Sequence, residues 1–486
     1  MKCCYSALIR VIHQGLALKS SSGFFPILAC SLGMALVALW LGSLHAAAHP
    51  SQSQKYAAGE VYCVKAAGGS YPACDHIYNT VQAALNAAIG GEEIRVSTGS
   101  YNGTAGIVAN ITKNVALLGG WNGDFTLRDP ALYPTILDGR RLGRVVQITG
   151  NITPTLDGFT ITRGNATFET FNPGKGGGII ITMAGPLIQN NVITNNIAYT
   201  KTSSIGDGGG IFTLNTAPTA VISANQIISN AANTGYSGLG GGLCVFNGSI
   251  TVVRNEISNN IAGRGGGGVY LNGEGSANFD ANSIISNLST ISPTATSHGG
   301  GIYFQYSAPF TLSNNLIARN GANTSGSGLH IYGVNSDRSM GVLINNTIVH
   351  NNFGANDDGI ALSGYVTVSL INNIIAFQGH GLYAEHLSTA NASYTLFYQN
   401  STGNMAGTGT ITNLYAITSL DPLFVSAGSS NYHLQPASPA IDSADPAGIP
   451  PALPLDIDGD TRPYGLAVDI GADEALFALF LPVMRK

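Results

Sequence analysis

Three groups of residues in this chain have the types and spacing to do chemistry. Asp357-Asp358-Gly359 and Gly379-His380-Gly381 place two carboxylates and an imidazole in matching glycine contexts, with Asp358 and His380 22 residues apart. Carboxylates and imidazoles are the groups that general acid–base catalysis draws on. Asp456-x-Asp458-Gly459-Asp460 gathers carboxylates around a glycine turn and can collect Ca²⁺ through oxygen ligands. It lacks the later glutamate of a full EF-hand loop, and Asp-Gly is also an ordinary turn. The third group is the series Ile180, Phe212, Cys244, Tyr270, Tyr303, His330, Ala361 and Tyr383, each two residues after a glycine cluster. Its rings Phe212, Tyr270, Tyr303 and Tyr383 are candidates for stacking on sugar faces; the alternative is that they lie beneath long loops and shield a sheet.

Such positions gain meaning only if a repeat sets them in register. Between Gly176 and Tyr383, glycine clusters at Gly176, Gly208, Gly240, Gly266 and Gly299 each lead into an apolar strand. The motif Asn-x-Ile-x-x-Asn follows, starting at Asn191, Asn225, Asn255, Asn282, Asn315 and Asn346 and fading to Asn373/Ile375/Gln378. Successive first asparagines stand 34, 30, 27, 33, 31 and 27 residues apart, so the motif is fixed while the loops vary. Val, Ile, Thr and Tyr alternate with period 2, and no window has helical spacing. One unit therefore fits one coil of a parallel β-helix, with short strands stacked on the next coil at about 4.8 Å. Asparagines at one register predict an internal ladder that caps the bends.

The ends read differently. Met1 to Lys19 is a charged leader, Phe24 to Leu44 is apolar and uncharged, and Ala46-Ala47-Ala48 offers a cleavage site, so export is expected. An uncleaved anchor is the alternative, because a run of that length can span a bilayer. Removing residues 1–48 takes the basic count from 21 to 18 against 26 acidic residues, a net charge of −8. Such a chain offers no basic patch for nucleic acid, and membrane contact is expected only through leader or tail. Three of the six cysteines lie in the leader; Cys63 and Cys74 are expected to pair in an oxidising compartment, and Cys244 reads as an apolar filler. The tail Ala475 to Lys486 is either an attachment signal or a final strand.

From Cys74 the chain reads as a helix capped by Asp75, with Ile77, Val81, Leu85 and Ala88 on one face and Gly90-Gly91 as the stop. Thr80-Val81-Gln82-Ala83-Ala84-Leu85, then Gly90/Gly91, Ile94, Val96, Gly99 and Tyr101, resembles the N-terminal cap of pectin-lyase-like right-handed β-helix proteins. Leu117-Leu118-Gly119-Gly120-Trp121 and Leu156-Asp157-Gly158-Phe159 are similar to the first coils of secreted bacterial proteins of that kind. Ser438-Pro439-Ala440-Ile441-Asp442, Asp456 to Pro463 and Asp469 to Glu474 resemble the closing region of the so-called choice-of-anchor group. The resemblance implies an all-β fold: a right-handed parallel β-helix with an N-terminal capping helix and an irregular C-terminal cap. The organisation expected is a signal peptide over 1–48, an N-terminal cap and first coils over 56–175, regular coils over 176–400, a C-terminal cap over 401–474 and a tail over 475–486.

Polygalacturonase-type glycosidases carry similar Asp-Asp and Gly-His-Gly motifs on neighbouring turns. That resemblance implies Asp357 and Asp358 as acid and base with His380 beside them. The pattern then departs from the family. Ser327 stands where it has a third aspartate, Asp337 falls in the opposite part of the coil, and no Arg-x-Lys clamp follows. Across 176–382 the basic residues are Lys201, Arg254, Arg264, Arg319 and Arg338, too scattered to hold a polyanion. The reading is an exported, cell-surface or secreted binding or structural element that contacts carbohydrate. The alternative is a polysaccharide hydrolase or lyase. No cofactor is called for beyond Ca²⁺ at Asp456, Asp458 and Asp460.

Overall fold

Short β-branched segments separated by left-handed corners build this protein, and each segment pairs in parallel with its equivalent one coil on. The computed structural model describes residues 59–103, 106–200, 205–233, 237–289, 296–307, 309–351, 357–445 and 453–476, all within one unit of the chain. The expected signal peptide over 1–48 and all of the tail past Leu476 lie outside the described residues. Three long parallel sheets of 14, 12 and 11 strands run the length of the molecule, and a five-stranded sheet flanks part of it. One coil shows the pattern: Ile211–Thr216, Val221–Ser223, Gln226–Ile228 and Ala231–Asn233 are followed by Leu243–Gly248, which lies on Ile211–Thr216. Alternation sends Ile211, Ile222 and Ile227 into one continuous apolar core.

Two ladders of buried asparagines hold the corners. In the first, Asn255 Nδ2 donates to Asn282 Oδ1 at 3.0 Å and to the Ile222 carbonyl at 2.9 Å, while its own Oδ1 accepts from Asn225 N–H at 2.9 Å and Asn225 Nδ2 at 3.0 Å. The second repeats this at Asn196, Asn230, Asn260, Asn287, Asn320 and Asn351, and continues through Gln378 to Asn400. Each ladder residue follows one with positive φ, such as Arg254 at 54° and Ser286 at 58°. A non-glycine residue there costs about 1–2 kcal/mol, which the four-bond amide next to it offsets.

The N-terminal cap differs from its expectation in detail. The helix is Val81–Ala87, and its N-cap is Thr80, whose side chain accepts from Ala83 N–H. His76–Tyr78 is instead a strand paired with Val61–Val64, and Asp75 accepts from Val61 N–H at 2.7 Å. Pairing wins because the Cys63–Cys74 disulfide, with Cα atoms 5.7 Å apart, ties the two segments together. At the other end the coils continue past 400 through Gly403–Gly407, Thr410–Leu414 and Ile417–Thr418. Residues 423–445 and 453–475 then lie along the outer face of the 12-stranded sheet. Phe424, Tyr432, Leu434, Ala440 and Ile470 pack there on outward-facing Ala318, Val349, Ile374, Ala376 and Leu396.

Replacing one mid-ladder amide strands several buried partners at about 1–3 kcal/mol each. Asn287→Ala should therefore destabilise the protein by at least about 3 kcal/mol in urea unfolding, whereas Gln226→Ala, exposed on a strand of the 12-stranded sheet, should stay within about 0.5 kcal/mol.

Candidate functional site

Asp358 and His380 meet as the register requires. Ile360 pairs with Leu382 across neighbouring coils, and two residues earlier Asp358 Oδ1 lies 2.9 Å from His380 Nδ1. Their side chains are 8% and 27% exposed. The same register holds glycine in earlier coils for a steric reason: a Cβ at Gly209 would stand 2.4 Å from the backbone of Ala231, and one at Gly300 2.4 Å from Gly321. Those obstructing backbones belong to the five-stranded sheet, whose last strand is Gly321–Ala322. Beyond it the register admits side chains, first Ser327, then Asp358, then His380.

Burial raises the Asp358 carboxyl above the usual range, and the hydrogen bond from His380 works against that rise. Asp357 is raised by burial and then by the neighbouring Asp358 carboxylate, and its Oδ1 is buried with no hydrogen-bond partner among the described residues. Asp357 is thus suited to hold a proton while Asp358 orients the imidazole. The set stops there. Ser327 Oγ accepts from Ala322 N–H at 3.2 Å, so a hydroxyl occupies the place of a third acid.

The outward aromatic series is buried. Ile180, Phe212, Cys244, Tyr270 and Tyr303 form a second apolar cluster outside the sheet, with Phe212, Tyr270 and Tyr303 only 3%, 2% and 7% exposed. The expected stacking platform is therefore covered at these three rings. Tyr383, half-buried, has its ring 5.4 Å from that of His380. The Cys244 thiol is buried and pushed well up by desolvation, as an inert filler should be. What remains accessible stands two residues further along each strand. Leu214, Phe246, Asn272, Gln305 and Tyr332 pair in succession and are half-exposed. Tyr306 extends the row, its ring 5.2 Å from that of Tyr332, and Tyr270 Oη donates to Gln305 Oε1 at 2.7 Å from beneath. Period 2 points both positions outward, and the covering loops decide which stays wet.

Residues 232–415 match the family described as the right handed beta helix region. With the parallel sheets, this makes the fold a right-handed parallel β-helix. The solved structure of pectate lyase Pel9A is similar over 86% of this chain and 97% of its own, at 12% identity and a TM-score of 0.34. A likeness that weak carries nothing about activity. No curated protein matches the sequence.

The acidic turn is assembled differently from the expected Ca²⁺ loop. Asp456 Oδ1 accepts the N–H groups of Asp458, Gly459 and Asp460, and its Oδ2 accepts Glu474 N–H at 2.9 Å. A carboxylate so occupied by backbone is the centre of a turn. Asp458 instead faces His433, with Nε2 and Oδ2 2.9 Å apart. Arg462, Asp469 and Glu474 of the closing motif are likewise held within the fold. Arg462 and Glu474 pair at 3.0 Å while each is 1% exposed, and Asp469 accepts from Asp442 and Ala475 N–H.

His330, in the outward series, is 3% exposed with its Nδ1 2.7 Å from Ser325 Oγ, and burial followed by the neighbouring His298 lowers it to about 3. A histidine buried neutral contributes stability that is complete above its unfolded value near 6.5 and is lost as pH falls toward 3. Unfolding free energy should drop by about 1.4 kcal/mol per pH unit on this account below pH 6.5. His330→Phe should flatten that slope in urea melts taken from pH 7 to pH 4.

Proposed function

We propose that this protein is an exported, cell-surface or secreted β-helix that binds neutral polysaccharide along the row Leu214, Phe246, Asn272, Gln305 and Tyr332. The observation that carries the reading is this row itself: apolar Leu214 and Phe246, then the amides Asn272 and Gln305, then Tyr332, one per coil on a continuous sheet. Sugar rings stack their apolar faces on such rings, and their hydroxyls bond to amides. The buried series Phe212, Tyr270 and Tyr303 serves as the floor that holds Phe246 and Tyr332 in place.

Charge favours a neutral ligand. Arg319 donates to the Ala427 and Gly428 carbonyls, Arg338 lies over the Tyr365 ring at 5.4 Å, and Lys175 pairs with Asp207. These cations are engaged within the protein, which leaves little to grip a polyanion or nucleic acid. The Cys63–Cys74 disulfide supports an oxidising destination, in keeping with the apolar leader.

A polysaccharide hydrolase is the second reading. It is favoured by the unpartnered Asp357 oxygen beside the Asp358–His380 pair.

Retention on a panel of immobilised neutral polysaccharides should fall about tenfold for Phe246→Ala and for Tyr332→Ala, since a lost ring stack is about 1.5 kcal/mol. Asp358→Asn should bind like the unaltered protein. Unchanged retention in both ring variants sinks the binding row. Reducing-sugar release by the unaltered protein that disappears in Asp358→Asn moves the function to the Asp357, Asp358 and His380 coil.

A further inference from the structure

We infer that His433, Asp458 and Asp473 form a binding site for one divalent transition-metal ion, Zn²⁺ by its donor chemistry. One ligand atom from each of the three residues lies within 4.8 Å of the others. They come from three separate segments of the C-terminal return: the strand Asn431–Leu434, the turn around Gly459 and the stretch before Glu474. Convergence of this kind differs from a run of acids on one loop, because the fold must bring the groups together.

Local structure explains each placement. Along Asn431–Leu434, Tyr432 and Leu434 face the apolar interface with the sheet, which sends His433 outward. Asp456 fixes the turn by accepting three successive N–H groups, and this presents Asp458 to the imidazole. Asp473 is 8% exposed and accepts Leu434 N–H on Oδ2 at 2.7 Å, which ties its carboxylate to the strand that carries His433. A cleft of about 400 Å³ gives access, lined by these residues together with Arg254, Glu256 and Thr347.

A further contact points to a metal. His433 Nδ1 is 2.7 Å from Asn431 Oδ1, so its Nδ1–H donates to an amide oxygen and Nε2 faces Asp458. A metal-binding histidine is held this way, with the far N–H on an oxygen and the near nitrogen aimed at the ion. The donor set is one imidazole nitrogen and two carboxylate oxygens. Such a set suits Zn²⁺ with water completing four-coordination, whereas Ca²⁺ takes oxygen ligands in larger number. The ion would clip three segments of the return to one another and so hold that flank closed.

Equilibrium dialysis and thermal melts of the full chain with Zn²⁺, and with Ca²⁺ for comparison, test the site. The expected result is one stoichiometric Zn²⁺ and a raised Tm, both lost in His433→Ala and in Asp458→Asn, with affinity weakened about 10–100-fold in Asn431→Ala and unchanged in Asp460→Asn. His433 and Asp458 have side chains 51% and 46% exposed, so both variants should fold. Circular dichroism and unfolding midpoints without metal check this, and Asn431→Ala reads the site without removing a ligand. No stoichiometric binding, Zn²⁺ binding that survives His433→Ala, or a preference for Ca²⁺ that Asp460→Asn abolishes would each overturn the assignment.

Discussion

The amide of the ladder asparagine is the interaction on which this structure depends. Parallel coils need two things at every corner: a residue forced into the left-handed region, and a partner for the backbone groups the bend exposes. One Asn side chain supplies the second and stabilises the first. Its amide reaches a carbonyl on one side and an Asn oxygen on the other, as Asn287 does with Ile257 and Asn320. Because the same geometry recurs coil after coil, a slip of one residue at any point would strand amides in the core. The ladders therefore fix register as well as stability.

Register in turn decides where chemistry can be placed. At the position of Gly209 and Gly300 the flanking five-stranded sheet leaves no room for a Cβ, and only after that sheet ends do Asp358 and His380 appear. On the outer face, one row of side chains is covered and the next is accessible. Fixed register thus stacks one outward residue per coil into a continuous row. The flank that the C-terminal return covers is chosen by the same logic, through the outward apolar row of Ala318, Val349 and Ile374.

Much of this was legible in the residues. The Asn spacing pointed to coil and ladder, and the glycine-cluster register to the meeting of Asp358 with His380, because each depends on backbone periodicity alone. The Cys63–Cys74 link was legible from the closeness of the two cysteines in sequence, given the expected oxidising compartment. Burial of Phe212, Tyr270 and Tyr303 was not, since period 2 tells inward from outward but not whether a loop lies above. The Asp75 cap failed because strand pairing with Val61–Val64 outweighed a local helix preference. The return was half-legible: Asn315-Leu-Ile-Ala and Asn373-Ile-Ile-Ala are apolar on both sides of the inward Ile, a signal that something covers the sheet. The grouping of His433 with Asp458 and Asp473 required the fold, because 25 residues separate the first two.

On the proposed reading, ligand contact falls on the accessible row and the buried aromatic series serves as support. Hydroxyl-radical footprinting of the aromatic side chains, with and without a bound neutral oligosaccharide, measures that division directly. Phe246, Tyr306 and Tyr332 should react in the free protein and become protected in the complex, while Phe212, Tyr270 and Tyr303 stay silent in both. Reaction of the buried series in the free protein, or protection confined to Tyr383 beside His380, would contradict it.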